Sequence, residues 1–254
     1  MVRKRRTSPI APVAVVTGAG KRLGRQIALA LAEAGFDLVL HYRSSGEGVR
    51  MARQKIASLG RRSISVRGDL RKSSDVKKLI RKAEQSFGRV DLLVNNAAVF
   101  RKASLSTTTE SLWDEALETN LKAPFLAAQA VAPIMKRQGG GKVINIASLG
   151  GLQAWKEHLP YSISKAGVIM LTRILARELA PEVQVNAIAP GTIIVPGEES
   201  PDIRHVATTT IPLQRYGKPS DIADLVVFLA TKSAYVTGQI IAVDGGRSVN
   251  LSQS

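Results

Sequence analysis

The sequence predicts an α/β fold: a single doubly wound parallel sheet of seven strands with helices on both faces. Short runs rich in Val, Ile and Leu alternate along the chain with amphipathic stretches of helical period. Strands that alternate with helices pair in parallel, because each helix returns the chain across a face of the sheet. With 254 residues, 44% of them hydrophobic, the chain can bury one large core.

The individual elements follow from where each pattern begins and ends. The strands are predicted at 13–17, 37–42, 63–67, 92–95, 142–147, 183–188 and 240–243. The helices are predicted at 24–34, 47–58, 75–87, 112–136, 161–179 and 220–231. Pro124 lies within the fourth helical stretch and predicts a kink or a split there, since proline lacks an N–H and clashes with the preceding turn.

One domain is expected over residues 10–248, with a tail at each end. Residues 1–9 form a basic tail, with RKRR at 3–6, that is predicted to be disordered, and residues 249–254 form a short C-terminal tail.

Thirty-six basic and 20 acidic residues give a net charge of +16. This charge suits an anionic partner, such as a phosphorylated cofactor, an acidic carrier protein, a membrane surface or nucleic acid. No recognised nucleic-acid-binding motif appears, so we favour a solvated basic surface over specific nucleic-acid binding.

The composition excludes several kinds of chemistry. The chain has no cysteine, so it has neither disulfides nor thiolate catalysis. Its three histidines, at 41, 158 and 205, have no metal-ligand spacing, and no metal site is expected. No run of about 18 apolar residues would span a membrane, and no apolar core of a secretory signal follows the basic N-terminus. A cytoplasmic enzyme is expected.

Residues 17–24, TGAGKRLG, connect the first predicted strand directly to a helix. Glycines at such a junction allow a tight turn and let a pyrophosphate approach the backbone at the helix N-terminus. A glycine-rich loop alone is weak evidence, but this one lies in the required context of a strand followed by a helix. The loop therefore predicts a dinucleotide-binding site.

Tyr161 and Lys165 are four residues apart in a predicted helix, so they share one of its faces. An unperturbed tyrosine titrates near pH ~10. A cation held beside the phenol favours the phenolate and lowers that pKa towards the range useful for general acid–base catalysis. The pair predicts an enzyme that handles a proton.

In combination, these features resemble the short-chain dehydrogenase/reductase family. The resemblance rests on the loop at 17–24, the NNA run at 95–97, Ser148, Tyr161 and Lys165, and it covers about residues 10–248. It implies a Rossmann-type fold and an oxidoreductase in which a nicotinamide cofactor supplies the hydride while the protein positions groups and manages protons.

The resemblance also implies four catalytic residues: Asn120, Ser148, Tyr161 and Lys165. Tyr161 would donate a proton to the oxygen of the reduced carbonyl, while Lys165 would lower the tyrosine's pKa and hold the nicotinamide ribose. Ser148 would hydrogen-bond the carbonyl oxygen as charge develops on it. Asn120 resembles the asparagine that holds a water relay to the lysine, and a structural bond at a helix kink is compatible with that role.

NADP(H) is the predicted cofactor. Arg22 stands where the family's loop usually has its middle glycine, and a guanidinium there suits bidentate capture of a phosphate. The second strand ends in HYRSS, without a carboxylate for the ribose hydroxyls, whereas Arg43 and Ser44 can donate to a 2′-phosphate. The other residues assigned to the cofactor are Gly18, Lys21, Leu23, Tyr42, Asp69, Leu70, Asn96, Ala97, Tyr161, Lys165, Pro190, Gly191 and Thr192. For Asp69, a turn or helix-cap role is an equal alternative.

Two subgroups of the family compete over the substrate. The VTGQ run at 236–239, the VDGG run at 243–246 and Ser148 resemble 3-oxoacyl-thioester and general ketone reductases. The loop at 17–24 and the HYRSS segment resemble pteridine reductases, and Phe100 falls where these carry an aromatic that stacks on the pterin. Pteridine reductases, however, carry a proton-handling aspartate at the position of Ser148. We therefore favour reduction of a ketone, carried on acyl carrier protein or CoA or free, over reduction of a pterin.

The residues expected to contact the substrate are Phe100, Ser148, Trp155 and Tyr161. Core packing is an equal explanation for Trp155. Substrate choice is also expected to depend on the loop after Pro190, with Pro196 and the acidic pair at 198–199.

The resemblance further implies a homotetramer. A hypothesis of another class is a dinucleotide-bound protein that binds nucleic acid with little catalysis. The intact set of Ser148, Tyr161 and Lys165 argues against it, because binding alone does not need that set.

Overall fold

The structure, a computed structural model, describes residues 11–195, 197 and 206–249. They form one parallel sheet of seven strands in the order β3-β2-β1-β4-β5-β6-β7. The strands are β1 (Val13–Val16), β2 (Asp37–Tyr42), β3 (Ser63–Arg67), β4 (Leu92–Asn95), β5 (Gly141–Ile146), β6 (Val183–Pro190) and β7 (Ile240–Val243). The predicted fold class is confirmed. The strand order reverses between β1 and β4, which is where doubly wound sheets bind ligands.

Seven α-helices cover the two faces of the sheet in the described residues. They are α1 (Arg22–Glu33), α2 (Gly46–Ser58), α3 (Ser73–Phe87), α4 (Glu110–Leu117), α5 (Ala123–Arg137), α6 (Leu159–Glu178) and α7 (Pro219–Thr231). All but α4, which buries only Ala116, have a buried apolar face because their apolar residues recur at the helical period. Most predicted boundaries fall within two residues of the observed ones.

The core consists of two layers, one on each face of the sheet. Successive strand residues point to opposite faces. Val13 and Val15 of β1 therefore pack with α3 and α5, while Ala14 and Val16 pack with α1, α2 and α7. β1 is buried on both faces, as its continuous apolar run predicts.

The helical stretch predicted at 112–136 is not α-helical throughout. α4 ends at Leu117, a π-helical turn follows at Glu118–Lys122, and α5 begins at Ala123 with Pro124 in its first turn. Leu117, Lys122 and Ala123 all have right-handed helical backbone angles, so the helix continues through the π turn into the segment that contains Pro124. The irregularity expected at Pro124 is thus a π turn in a continuous helix, and Asn120 lies within it.

Several sequence predictions concern residues outside the described part of the chain. They are the disordered tail at 1–9, the loop residues Pro196, Glu198 and Glu199, and most of the C-terminal tail. Within the described ranges, none of the helices combines the length and the apolar character needed to cross a membrane.

Candidate active site

A cleft of about 980 Å³ runs along the carboxyl ends of the strands. It is lined by the glycine loop after β1, the end of β2, the segments after β3, β4, β5 and β6, and the first turns of α6. Every residue predicted to bind cofactor or substrate lines this cleft, and so do the catalytic candidates Ser148, Tyr161 and Lys165. Of the predicted site residues, Asn120 alone lies behind the wall.

Thr17 joins the glycine loop to the segment after β4. Its Oγ1 accepts hydrogen bonds from the N–H groups of Asn96 (2.9 Å) and Ala97 (3.0 Å). The Asn96 side chain donates back to the Thr17 carbonyl at 2.8 Å. A Cβ on Gly24 would lie 2.3 Å from the Gly18 carbonyl oxygen, so the helix start packs directly on the loop. The glycine loop after β1 and the segment after β4 are therefore fixed to each other at the place where the strand order reverses.

Arg22 begins α1 in a left-handed backbone conformation, with φ of +48°. This conformation favours glycine and costs other residues of the order of 1 kcal/mol. The position is the one where the family's loop usually has glycine, which adopts a positive φ without strain. The arginine lines the cleft together with Lys21, at the N-terminus of a helix that attracts anions.

Arg43 and Ser44 follow β2 and line the same end of the cleft. No carboxylate lies in the stretch from Tyr42 to Ser45. This end of the cleft is therefore rich in cations and hydrogen-bond donors. Arg43 and Ser44 contribute to it, together with Lys21 and Arg22. This donor set fits a phosphate group on a bound dinucleotide.

Asp69 is engaged with Arg71. The carboxylate accepts bonds from the Arg71 main-chain N–H (3.1 Å), Nε (3.0 Å) and Nη2 (2.6 Å). These bonds lower the pKa of Asp69 to about 2. The turn role, one of the two alternatives for Asp69, is thus observed, and its contact with an adenine stays a prediction.

Ser148 and Tyr161 meet at the centre of the cleft. Ser148 follows β5 and caps a short 3-10 turn (Leu149–Gly151), its Oγ accepting a bond from the Gly150 N–H at 3.0 Å. Its hydroxyl lies near the Tyr161 phenol. Burial raises the pKa of Tyr161 to about 12, and the serine opposes that rise. Tyr161 is accordingly a neutral phenol at physiological pH.

Lys165 lies one helical turn along α6 and is 3% exposed. Its Nζ donates to the Ile146 carbonyl at 2.7 Å and lies 5.8 Å from the centroid of the Tyr161 ring. Burial lowers the pKa of Lys165 to about 8. The expectation that Lys165 lowers the pKa of Tyr161 is not met in this structure, because the ammonium faces a main-chain carbonyl and burial of the phenol dominates.

Asn120 connects the π turn to two other segments. Its Oδ1 accepts from the Val99 N–H at 2.8 Å, and its Nδ2 donates to the Val99 carbonyl at 3.0 Å and to Ser164 Oγ at 3.0 Å. The structural bond at a helix irregularity is therefore observed. The water relay from Asn120 to Lys165 stays a prediction.

Aromatic rings form the wall beside Tyr161. Phe100 is stacked on His158, with centroids 4.5 Å apart, and meets the Tyr161 ring edge-on at 4.7 Å. Trp155 is stacked on Tyr161 at 6.2 Å and lies against Gly150. Main-chain bonds from Ala103 to residues 157 and 159 fix the two aromatic segments to each other. Phe100 and Trp155 are thus placed to contact a substrate, and Phe100 is 39% exposed.

Comparisons with known proteins agree with this geometry. A family model described as enoyl-(acyl carrier protein) reductase matches residues 18–248. The 3-oxoacyl-(acyl-carrier-protein) reductase FabG of Staphylococcus epidermidis is 40% identical over 237 residues, covering 92% of this chain and 97% of the relative. The 3-oxoacyl-(acyl-carrier-protein) reductase of Synechocystis is 38% identical, covering 94% and 98%. The crystal structure of acetoin dehydrogenase from Enterobacter cloacae superposes with a TM-score of 0.89 at 32% identity, covering 97% and 99%.

This chain belongs to the short-chain dehydrogenase/reductase family. The predicted family, oxidoreductase class and dinucleotide cofactor are therefore confirmed. The cleft fits such a cofactor, because its cationic end and the α1 N-terminus suit the phosphates and its size leaves room for a small substrate. Within the described ranges, no cluster of acidic or histidine side chains is arranged to hold a metal ion.

Three residues of this short-chain dehydrogenase/reductase site were not predicted from the sequence. His41 bonds two of the cofactor loops, Ser164 bonds Asn120, and Arg247 lines the cleft and donates to Thr192 Oγ1 at 3.0 Å. His41 had a detectable signal, since it is a lone polar residue at the end of an apolar strand. Ser164 and Arg247 had none, because their roles depend on contacts with residues far away in the sequence.

Proposed function

We propose that this chain is an NADPH-dependent reductase of 3-oxoacyl thioesters. The observation that carries the proposal is that Ser148, Tyr161 and Lys165 line the same cleft as the glycine loop. Two relatives of 38–40% identity are named 3-oxoacyl-(acyl-carrier-protein) reductases, which supports this substrate class.

Each catalytic side chain has a distinct task. When bound, the nicotinamide supplies a hydride to the carbonyl carbon. Tyr161 gives its proton to the carbonyl oxygen, and Ser148 donates a hydrogen bond to the same oxygen as negative charge develops there. Lys165, held by the Ile146 carbonyl, donates to the nicotinamide ribose. Asn120 keeps the helix that carries Tyr161 in place.

NADP(H) rather than NAD(H) is the cofactor in this proposal. Arg22 and Arg43 line one end of the cleft, and Arg43 follows β2 at the place where an NAD-binding protein of this fold presents a carboxylate. Two guanidinium groups there bind a 2′-phosphate, and they give no compensating contact to an unmodified ribose. The remaining cofactor contacts are assigned to the predicted residues that line the cleft.

In this proposal the acyl group of the substrate is carried on acyl carrier protein or CoA, and the enzyme acts in the cytoplasm. A net charge of +16 supports attraction of an acidic carrier protein.

We also propose a homotetramer assembled through α5 and α6. The exposed apolar side chains Phe125 of α5 and Met170 and Ile174 of α6 support it, because such groups are usually covered in an assembly.

The test follows NADPH absorbance with acetoacetyl-CoA, acetoacetyl-acyl carrier protein and dihydrobiopterin in parallel, with the Tyr161→Phe variant as the control. Turnover of the thioesters that is lost in the variant supports the proposal. Turnover of the pterin alone would overturn it and would mean that Phe100, which faces Tyr161, selects a flat heterocycle. Equal kcat/KM with NADH would overturn the cofactor assignment.

A further inference from the structure

His41 joins three strands at the cofactor end of the cleft. Its Nδ1 lies 3.2 Å from the Gly18 main-chain N, and its Nε2 lies 3.1 Å from the Gly68 carbonyl oxygen. A main-chain N–H can only donate and a carbonyl can only accept. The imidazole is therefore neutral and carries its proton on Nε2. With 3% of its surface exposed, the side chain has little access to water as an alternative partner.

The same histidine holds the glycine loop through its backbone. The His41 carbonyl accepts a bond from the Ala19 N–H at 2.9 Å. Gly18 has a φ of +66°, and its carbonyl faces the Asn96 side chain. The Gly18 N–H and the Ala19 N–H are thus both used to fix the loop to β2. His41 thus holds the side of the loop next to β2, while Thr17 and Asn96 hold the side next to β4.

We propose that His41 is a positioning residue that holds the glycine loop in its cofactor-binding conformation only while the imidazole is neutral, so that acidification weakens nucleotide binding. A protonated imidazole has a donor on both nitrogens. It keeps the bond to Gly68 but turns an N–H towards the N–H of Gly18. The acceptor for Gly18 is then lost, and the loop has to move. The proposal rests on the dinucleotide site and does not depend on the identity of the substrate.

The groups around His41 set the pH range of this effect. Burial lowers the pKa of His41 below its ordinary 6.5, while the bond to Gly68 and the carboxylates of Asp75 on α3 and Asp69 after β3 oppose that shift. A lowered pKa means that the neutral form, and with it the Gly18 bond, is complete near pH 7.5. The bond is lost as the pH falls through the lowered pKa. Asp69, with a pKa of about 2, stays ionised throughout this range.

Replacement by asparagine separates charge from geometry. In His41→Asn the side-chain carbonyl takes the place of Nδ1, accepts from Gly18 and cannot be protonated. In His41→Leu both bonds are absent. His158→Gln is the matched control, because it removes a second titratable histidine that lines the same cleft but faces Phe100 rather than the glycine loop.

The experiment measures the dissociation constant of NADH and NADPH from pH 5.0 to 8.0 by the change in nucleotide fluorescence. NADH is included because the 2′-phosphate of NADPH itself titrates near pH ~6. For the wild type we expect NADH binding to weaken about tenfold between pH 7.5 and 5.0, the effect of losing one buried hydrogen bond of about 1.4 kcal/mol. His158→Gln should behave like the wild type, and His41→Asn should bind equally well at both pH values.

The thermal midpoint follows the same histidine. Because the pKa of His41 is lowered in the folded protein, the wild type should lose stability as the pH falls through that pKa, whereas the midpoint of His41→Asn should depend less on pH. A wild-type affinity for NADH that is the same at pH 5.0 and 7.5 would overturn the proposal. So would a His41→Asn variant with the wild-type pH dependence. Because the readout is binding, absence of turnover on acyl thioesters would count against the proposed function and leave this test intact.

Discussion

Asn120 Nδ2 donates to Ser164 Oγ at 3.0 Å, and Ser164 Oγ donates to the Tyr161 main-chain carbonyl at 2.6 Å. Through Asn120, the main chain of Val99 is joined to the first turns of α6. This chain of bonds joins one wall of the cleft to the helix that presents the phenol. The position of the proton donor therefore depends on the π turn between α4 and α5, since that turn is what directs Asn120 inward.

We expect Ser164→Ala to lower kcat about tenfold while the KM for NADPH stays unchanged. Loss of the hydroxyl leaves a buried Asn120 N–H without its acceptor, which costs about 1–3 kcal/mol in the free energy of unfolding. Ser162→Ala is the matched control, because the buried Ser162 Oγ has no hydrogen-bond partner among the described residues. For both variants, steady-state kinetics measure kcat and KM, and urea unfolding measures the free energy of unfolding. Equal effects of the two variants would show that the Asn120–Ser164 bond does not position Tyr161.

For Tyr161→Phe we expect kcat to fall by about 10²–10⁴, the usual contribution of a positioned general acid. The dissociation constant of NADPH should change by less than about twofold, since the ring keeps its contacts with Phe100 and Trp155 and only the hydroxyl is lost. Single-turnover kinetics and fluorescence titration measure the two quantities. Retention of more than a tenth of the wild-type kcat would exclude Tyr161 as the proton donor.

The fold and most of the site could be predicted because they depend on local patterns. Apolar runs and helical periods predicted every strand, and the motif at 17–24 predicted the end of the sheet at which the cleft lies. Arg22 replaces the usual glycine of that motif, yet its φ of +48° lies in the region that glycine adopts freely.

The sequence did not predict quantities that depend on tertiary packing. The pKa of Tyr161 was expected to fall because a cation lies one turn away, yet its burial raises it. Lys165 is directed to the Ile146 carbonyl, a group contributed by a strand 19 residues earlier. Pairwise spacing along a helix indicates which residues share a face, but it contains no information on what else packs against that face.

Lys165→Met should stabilise the folded protein at pH 7 while abolishing activity. The folded pKa of Lys165 is about 8, below the usual 10.5, so below pH 8 the buried ammonium makes an unfavourable contribution. That contribution, about 3 kcal/mol for a pKa lowered from 10.5 to about 8, disappears as the pH rises from 8 to above 10.5. We therefore expect the stability gained by the variant over the wild type to be largest at pH 7 and smallest above pH 10.5. A variant that is less stable at pH 7 would show that the Ile146 hydrogen bond outweighs the burial cost.

Arg22→Gly should change cofactor preference without harming the fold. Glycine adopts the left-handed conformation of this position freely, so the free energy of unfolding should stay within about 1 kcal/mol of the wild type. Loss of one charge-assisted contact to the 2′-phosphate should raise the KM for NADPH about 10- to 100-fold. The KM for NADH should change less than about threefold, since NADH has no such phosphate. Arg81→Ala, an exposed arginine on α3 outside the cleft, controls for the loss of one positive charge. An equal increase of KM for both nucleotides would mean that Arg22 supports the loop rather than the 2′-phosphate.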